Sequence, residues 1–116
     1  MITNETKQEY IAALQLYLHE LTVGAVTPMP ENGTWEARME RISTSREPYQ
    51  IDEETYSWLL EAHPMRFTEG SYDCFAERGE PSRLLWRRDG RYFIRQLNRS
   101  QTNKLSLRAG TATLYR

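Results

Sequence analysis

Two apolar runs, Arg83 to Arg88 and Arg91 to Gln96, meet at the dipeptide Asp89-Gly90. Asp and Gly tolerate the positive φ values of a two-residue hairpin turn, so this junction fixes a β-hairpin and its register together. Arg88 then faces Arg91, Arg87 faces Tyr92, Trp86 faces Phe93, Leu85 faces Ile94 and Leu84 faces Arg95. Upstream, Arg78 to Ser82 reads as a five-residue loop that brings a strand over 72–77 against 83–88. That register sets Glu77 opposite Arg83, Asp73 opposite Arg87 and Phe75 opposite Leu85. Side chains alternate between faces. One face therefore carries Cys74, Trp86 and Phe93, and the other carries Phe75, Leu85 and Ile94.

The segment feeding this meander is a helix. Asp52 is a good N-cap, because its carboxylate can accept hydrogen bonds from the free N–H groups of the first turn. Glu53 and Glu54 follow, where the helix dipole favours acids. Ile51 and Tyr56 have the spacing of a hydrophobic staple. Tyr56, Leu59, Leu60 and His63 fall on one helical face, and Pro64 ends the helix after His63.

A second helix is expected from about Glu5 to Val23, with Thr6 and Glu9 as a capping box and Ile11, Leu14, Leu18 and Leu21 as its apolar stripe. Val26 to Gly33 is punctuated by prolines and Asn32-Gly33 and reads as a loop. Thr34 to Ile42 fits a strand by alternation and a helix by the spacing of Trp35, Met39 and Ile42; helix is the preferred reading, capped by Thr34. Tyr49 to Ile51 is a short extended entry to the Asp52 helix. After Leu97 the chain turns polar, and the alternation of Leu105 and Leu107 predicts an extended tail. The expected fold is α+β: two or three helices on a small antiparallel β-meander, one domain over residues 1–116.

Charge is divided along the chain. Residues 1–82 hold six Lys/Arg against fifteen Asp/Glu, while residues 83–116 hold nine against one. Such a division suits a dipolar surface, or two halves that pair with each other. A single Cys excludes a disulfide framework, and no apolar run reaches the roughly 18 residues of a membrane span. The expected location is cytoplasmic, with no membrane partner.

Chemistry is sparsely signalled. Zinc normally takes four ligands at local spacings, and two His and one Cys do not supply them. A Cys74–His63 dyad is formally open, but a small buried thiol and a helix-terminal His account for both. No phosphate loop, H-E-x-x-H or G-x-S-x-G occurs. The expectation is a protein that is not an enzyme and uses no metal or cofactor.

Arg83, Arg87, Arg88, Arg91, Arg95 and Arg99 crowd seventeen residues, with Trp86, Tyr92 and Phe93 among them. Arg83 and Arg87 are assigned to pairing with Glu77 and Asp73. Arg88, Arg91, Arg95, Arg99 and Tyr92 are left as the candidate partner-binding set. A protein partner is the leading reading, and nucleic acid on the arginine-rich hairpin 83–99 is the alternative, since arginine with aromatics suits phosphate contact and base stacking. Phe75, Leu85 and Ile94 form a candidate self-association strip, which would favour a homodimer if no helix covers it.

The run Ile51-Asp52, Tyr56, Leu59-Leu60-Glu61 and Pro64, then Gly70, Phe75 and Glu80, then Tyr92-Phe93, resembles an uncharacterised domain-of-unknown-function family. Its short members are encoded on bacterial chromosomes, plasmids and prophages. The resemblance spans about residues 50–97; members usually carry two prolines after the helix, where this chain has His63-Pro64-Met65. It implies at most an accessory protein of a mobile element; by analogy, since many such proteins bind and block a host machine, the expected partner is a host or defence machine.

Overall fold

A computed structural model describes residues 4–28, 33–45, 47–76 and 82–114. In chain order its elements are α1 (Asn4–Thr22), β1 (Thr27–Pro28), α2 (Trp35–Thr44), β2 (Tyr49–Ile51) and α3 (Glu53–Ala62). Then follow β3 (Phe67–Glu69), β4 (Tyr72–Phe75), β5 (Arg83–Arg88), β6 (Arg91–Gln96) and α4 (Arg99–Leu114). The α+β class is as expected. The sheet is larger than the expected meander: six strands in the order β1-β2-β6-β5-β4-β3, mixed because β1 and β2 run parallel.

Asp89 and Gly90 take φ values of 53° and 73°, the left-handed pair that a tight hairpin turn needs. All five cross-strand pairs read from that turn are found, including Trp86 opposite Phe93 and Leu85 opposite Ile94. The β4–β5 register is shifted by two residues from expectation, with Asp73 opposite Leu85 and Phe75 opposite Arg83. A shift of two preserves every side chain's face. It does replace the expected Asp73–Arg87 pair. Asp73 is buried, so its carboxylate needs close donors. These are Arg66 Nε at 3.1 Å, Thr68 Oγ1 at 2.6 Å and the Tyr56 hydroxyl at 3.3 Å. The expected Glu77–Arg83 pair lies outside the described residues, because Glu77 does.

Each sheet face buries its own core. On one side Cys74, Leu84, Trp86 and Phe93 pack with Leu14, Leu18 and Leu21 of α1 and with Leu105, Ala109 and Ala112 of α4. The Trp86 and Phe93 rings stack at 5.4 Å, and Trp86 is 1% exposed. Leu59 of α3 packs on the opposite face. There Phe75, Leu85 and Ile94 lie under Met39 and Ile42 of α2 and Tyr56 and Leu59 of α3. The candidate self-association strip is therefore covered within the chain, at 4%, 0% and 0% exposure. Two helices on each face make a three-layer α/β/α arrangement.

The tail is a helix rather than extended. Asn98 Oδ1 accepts from the Gln101 amide at 2.7 Å, and Gln101 Oε1 accepts from the Asn98 amide at 2.9 Å. This reciprocal capping box starts α4, and Leu105, Ala109 and Ala112 then face the sheet. α1 begins at Asn4, so Thr6 lies inside the helix and not at its cap. α2 is a helix capped by the Thr34 hydroxyl, which accepts from the Ala37 amide at 3.2 Å. α3 begins at its Asp52 cap, whose carboxylate accepts from the Thr55 amide at 2.7 Å. These two caps point the first turns of α2 and α3 into the region described next.

Candidate docking surfaces

The arginine-rich hairpin is partly engaged inside the fold. Alternation sends Arg88, Arg91 and Arg95 to the sheet face that α1 covers. The last carbonyls of α1 have no partner within the helix and carry its negative dipole end. Arg95 Nη1 donates to the Leu21 carbonyl at 2.7 Å. Arg88 Nη2 reaches the Thr22 hydroxyl at 3.2 Å and the Tyr72 hydroxyl at 3.4 Å. Arg91 is exposed beside the turn, and Arg99 is exposed at the first position of α4. Tyr92 is half-buried with its ring 4.9 Å from that of Tyr56. Thus Arg88 and Arg95 bond to the end of α1, Arg95 half-buried and Arg88 exposed, while Arg91 and Arg99 are exposed cations of the set.

Of the two arginines expected to be structural, Arg87 differs from expectation, while the partner expected for Arg83 lies outside the described residues. Arg83 is half-buried and donates to Gln96 Oε1 at 3.1 Å and to Ser43 Oγ at 2.6 Å, linking the sheet to α2. Arg87 is exposed.

Cys74 and His63 do not form a dyad. The thiol faces the α1–α4 side, while the His63 ring stacks on Phe75 on the other side at 3.7 Å. Burial pushes the Cys74 thiol up to about 11, against a weaker opposing hydrogen bond with Ser82. His63 Nδ1 lies 2.8 Å from the Leu59 carbonyl at the end of α3. Among the described residues, no group of three or more His, Cys, Asp or Glu side chains could hold a metal ion. Among them, too, no helix is long and apolar enough to cross a membrane.

A different surface stands out on the opposite side of the molecule. Trp35 opens α2 and Trp58 sits in the middle of α3, with their rings edge to face at 4.7 Å and 68°. Trp35 is half-buried and Trp58 is 50% exposed. Few features leave so much indole in water, where burying it would be favourable. The pair divides an open groove into two lobes. One, of about 360 Å³, lies between the first turns of α2 and α3 and includes Glu36, Arg38, Asp52 and Glu54. The other, of about 490 Å³, runs along α2 over the sheet, with Glu36 and Glu40 on its wall and Leu59, Arg83 and Gln96 within it.

The electrostatics of the groove follow from its helices. α3 carries Glu53, Glu54 and Glu61 without a single base, behind an Asp52 cap. The hydrogen bonds from Thr55, and to a lesser degree the nearby Arg38 guanidinium, hold the Asp52 carboxyl below its usual range. It is a carboxylate at neutral pH. Arg38 Nε is shielded from water and has no hydrogen-bond partner among the described residues.

Sequence reasoning missed this groove, although Trp35 was placed on a helix. Trp58 was the available signal. It lies outside the face formed by Tyr56, Leu59, Leu60 and His63, and so cannot belong to that helix's buried stripe.

A smaller crevice of about 340 Å³ separates α1 from α4 on the other side, among Tyr10, Ala13, Lys104, Leu107 and Arg108. Lys104 Nζ and the Arg108 guanidinium both lie over the Tyr17 ring, at 4.7 and 5.5 Å. Comparison with known proteins adds no relative: no protein-family model, no curated protein and no solved structure matches the chain.

Proposed function

We propose that the protein is a non-enzymatic accessory protein that acts by binding a protein partner, and that the α2–α3 groove is its docking surface. The carrying observation is Trp58, half exposed against Trp35 on a groove open to solvent. Tryptophan is the residue most enriched among the few that dominate binding at protein interfaces. An open groove between two helices fits a segment of polypeptide better than an enclosed small ligand. A role on a bacterial mobile element rests on the resemblance of residues 50–97, and the blocking of a host or defence machine on analogy with such accessory proteins. The hairpin is the weaker docking surface, because Arg88 and Arg95 are held at the end of α1. This also lessens the support for nucleic-acid binding.

The test begins with a partner captured from the native host, identified and then purified. Trp58→Ala should weaken its affinity by roughly 30-fold or more, as for an interface residue worth about 2 kcal/mol. Arg91→Ala should leave affinity unchanged. Equal affinity of wild type and Trp58→Ala for the purified partner would sink the groove as docking surface. Tight binding to bare DNA, with log affinity falling linearly with log salt, would favour the nucleic-acid reading instead.

A further inference from the structure

The acids around the tryptophan pair say what kind of partner the groove would take. We infer that the α2–α3 groove recognises a cationic segment, placing an arginine or lysine side chain on the exposed face of Trp58. This rests on the docking role just proposed for that groove and names the chemistry of its occupant.

Three observations converge. The first is geometric. Trp35 meets Trp58 edge to face at 4.7 Å, and Trp58 keeps 50% of its surface in water beside that contact. An indole face carries negative electrostatic potential and is the strongest aromatic site for a guanidinium or ammonium group. The second is the sign of the surrounding charge. Glu36, Glu40, Asp52 and Glu54 line the two lobes against Arg38 and Arg83. Arg38 lies close enough to Asp52 to help hold it ionised. Arg83 is turned inward to Gln96 and Ser43. Glu36 and Glu54, exposed on the two helices that carry Trp35 and Trp58, are left facing an incoming ligand.

The third observation is continuity. Glu53 and Glu61 extend the same sign along α3, which has no basic residue to oppose them. An acidic helix would repel an anionic partner and steer a basic one toward the groove. Apart from Arg38 and Arg41 of α2 and the inward-turned Arg83, the densest run of cations lies elsewhere, on the β5–β6 hairpin and α4. The exposed indole surface of Trp58 and the half-buried Trp35 suit the methylene stems of long basic side chains.

The test uses a hexa-arginine peptide, titrated at low salt while tryptophan fluorescence is followed. Trp86 is buried, so Trp35 and Trp58 provide the response. A hexa-glutamate peptide and a neutral Leu/Ser peptide of equal length serve as comparisons. Binding of hexa-arginine alone is expected. It should weaken at least about tenfold in Trp58→Ala and in the double variant Glu36→Gln/Glu54→Gln. It should be unchanged in Glu9→Gln/Glu20→Gln, whose acids are exposed on α1 across the sheet. Thermal melting confirms that each variant is folded.

Equal weakening by the two double variants would mean diffuse attraction to a negative surface, and would overturn the inference. So would hexa-arginine binding that ignores Trp58→Ala. Binding of the neutral peptide alone, dependent on Trp58, would refute the cationic occupant and leave the groove standing as a docking surface. Failure of the docking role shows separately, as undiminished affinity of Trp58→Ala for its purified natural partner.

Discussion

Removing Arg95 is the sharpest test of how the arginine-rich hairpin is used. Its Nη1 donates to the Leu21 carbonyl at 2.7 Å, one of the carbonyls that α1 cannot satisfy itself. A hydrogen bond from a charged donor contributes about 1.5–3 kcal/mol net, and a cation at a helix C-terminus adds about 0.3–1 kcal/mol. Arg95 is half-buried, so solvent screening takes the expected loss for Arg95→Ala toward the lower end, about 2 kcal/mol. For a chain of 116 residues this corresponds to a fall in Tm of roughly 8 °C. Arg91→Ala is the matched control, one strand pair from the same turn but exposed, and should change stability by less than about 0.5 kcal/mol. Arg95→Lys should fall between, because it keeps the charge and loses the guanidinium geometry. Urea unfolding followed by tryptophan fluorescence gives the three midpoints. Arg95→Ala and Arg91→Ala with the same midpoint would show that the carbonyl contact contributes nothing, and the hairpin's cations would again be available to a partner.

Two further outcomes follow from the core and from a buried phenol. Trp86→Ala should cost about 3–5 kcal/mol, as a large buried side chain whose removal leaves a cavity between the sheet and α1; a loss under 1 kcal/mol in urea unfolding would contradict that packing. Burial, reinforced by the Asp73 carboxylate, raises the Tyr56 hydroxyl from 10 to about 12. Its contribution is fully present below pH 10 and is lost as pH rises from 10 toward 12. Burial raises the Tyr17 hydroxyl as well, so absorbance at 295 nm should show a late-titrating component that disappears in Tyr56→Phe and survives in Tyr17→Phe, and titration of Tyr56 with the ordinary phenols would refute the assignment.

The parts of this fold that were legible in the amino-acid order are those decided by local chemistry. Asp89-Gly90 admits one turn, and the turn sets the whole β5–β6 register. Asp52 before Glu53 and Glu54 marks a helix start whatever the rest of the chain does. Alternation assigned Cys74, Trp86 and Phe93 to one face and Phe75, Leu85 and Ile94 to the other. That division survived the two-residue shift of β4, since parity is unchanged. What escaped was decided at a distance. The candidate strip is apolar because α2 and α3 cover it, and the same pattern on one strand would describe an uncovered interface. β1 is too short to announce itself and exists by pairing, while Tyr49 to Ile51 was legible as extended but not as a strand of this sheet. α4 was misread because Leu105 and Leu107 alternate, yet Leu105 is buried and Leu107 is 72% exposed. The Asn98 and Gln101 pair carried the contrary signal. For the candidate site, Trp58 and its neighbouring acids were visible as residues. That α2 would bring Trp35 and Glu36 beside them was not.

The sheet ends, at its two sides, in strands of two and three residues, Thr27–Pro28 and Phe67–Glu69. Pro28 has no amide hydrogen to offer a neighbouring chain. Such brief borders leave little main chain for an incoming strand to pair with. Recognition by extending the sheet, in which main-chain bonds supply affinity for almost any sequence, is thereby disfavoured. On the proposed reading, a partner is instead met through side chains on the helical layers. Of the groove residues, the exposed Glu36, Glu54 and Trp58 lie outside both cores, so the chemistry offered to a partner can be altered there while the framework stays fixed.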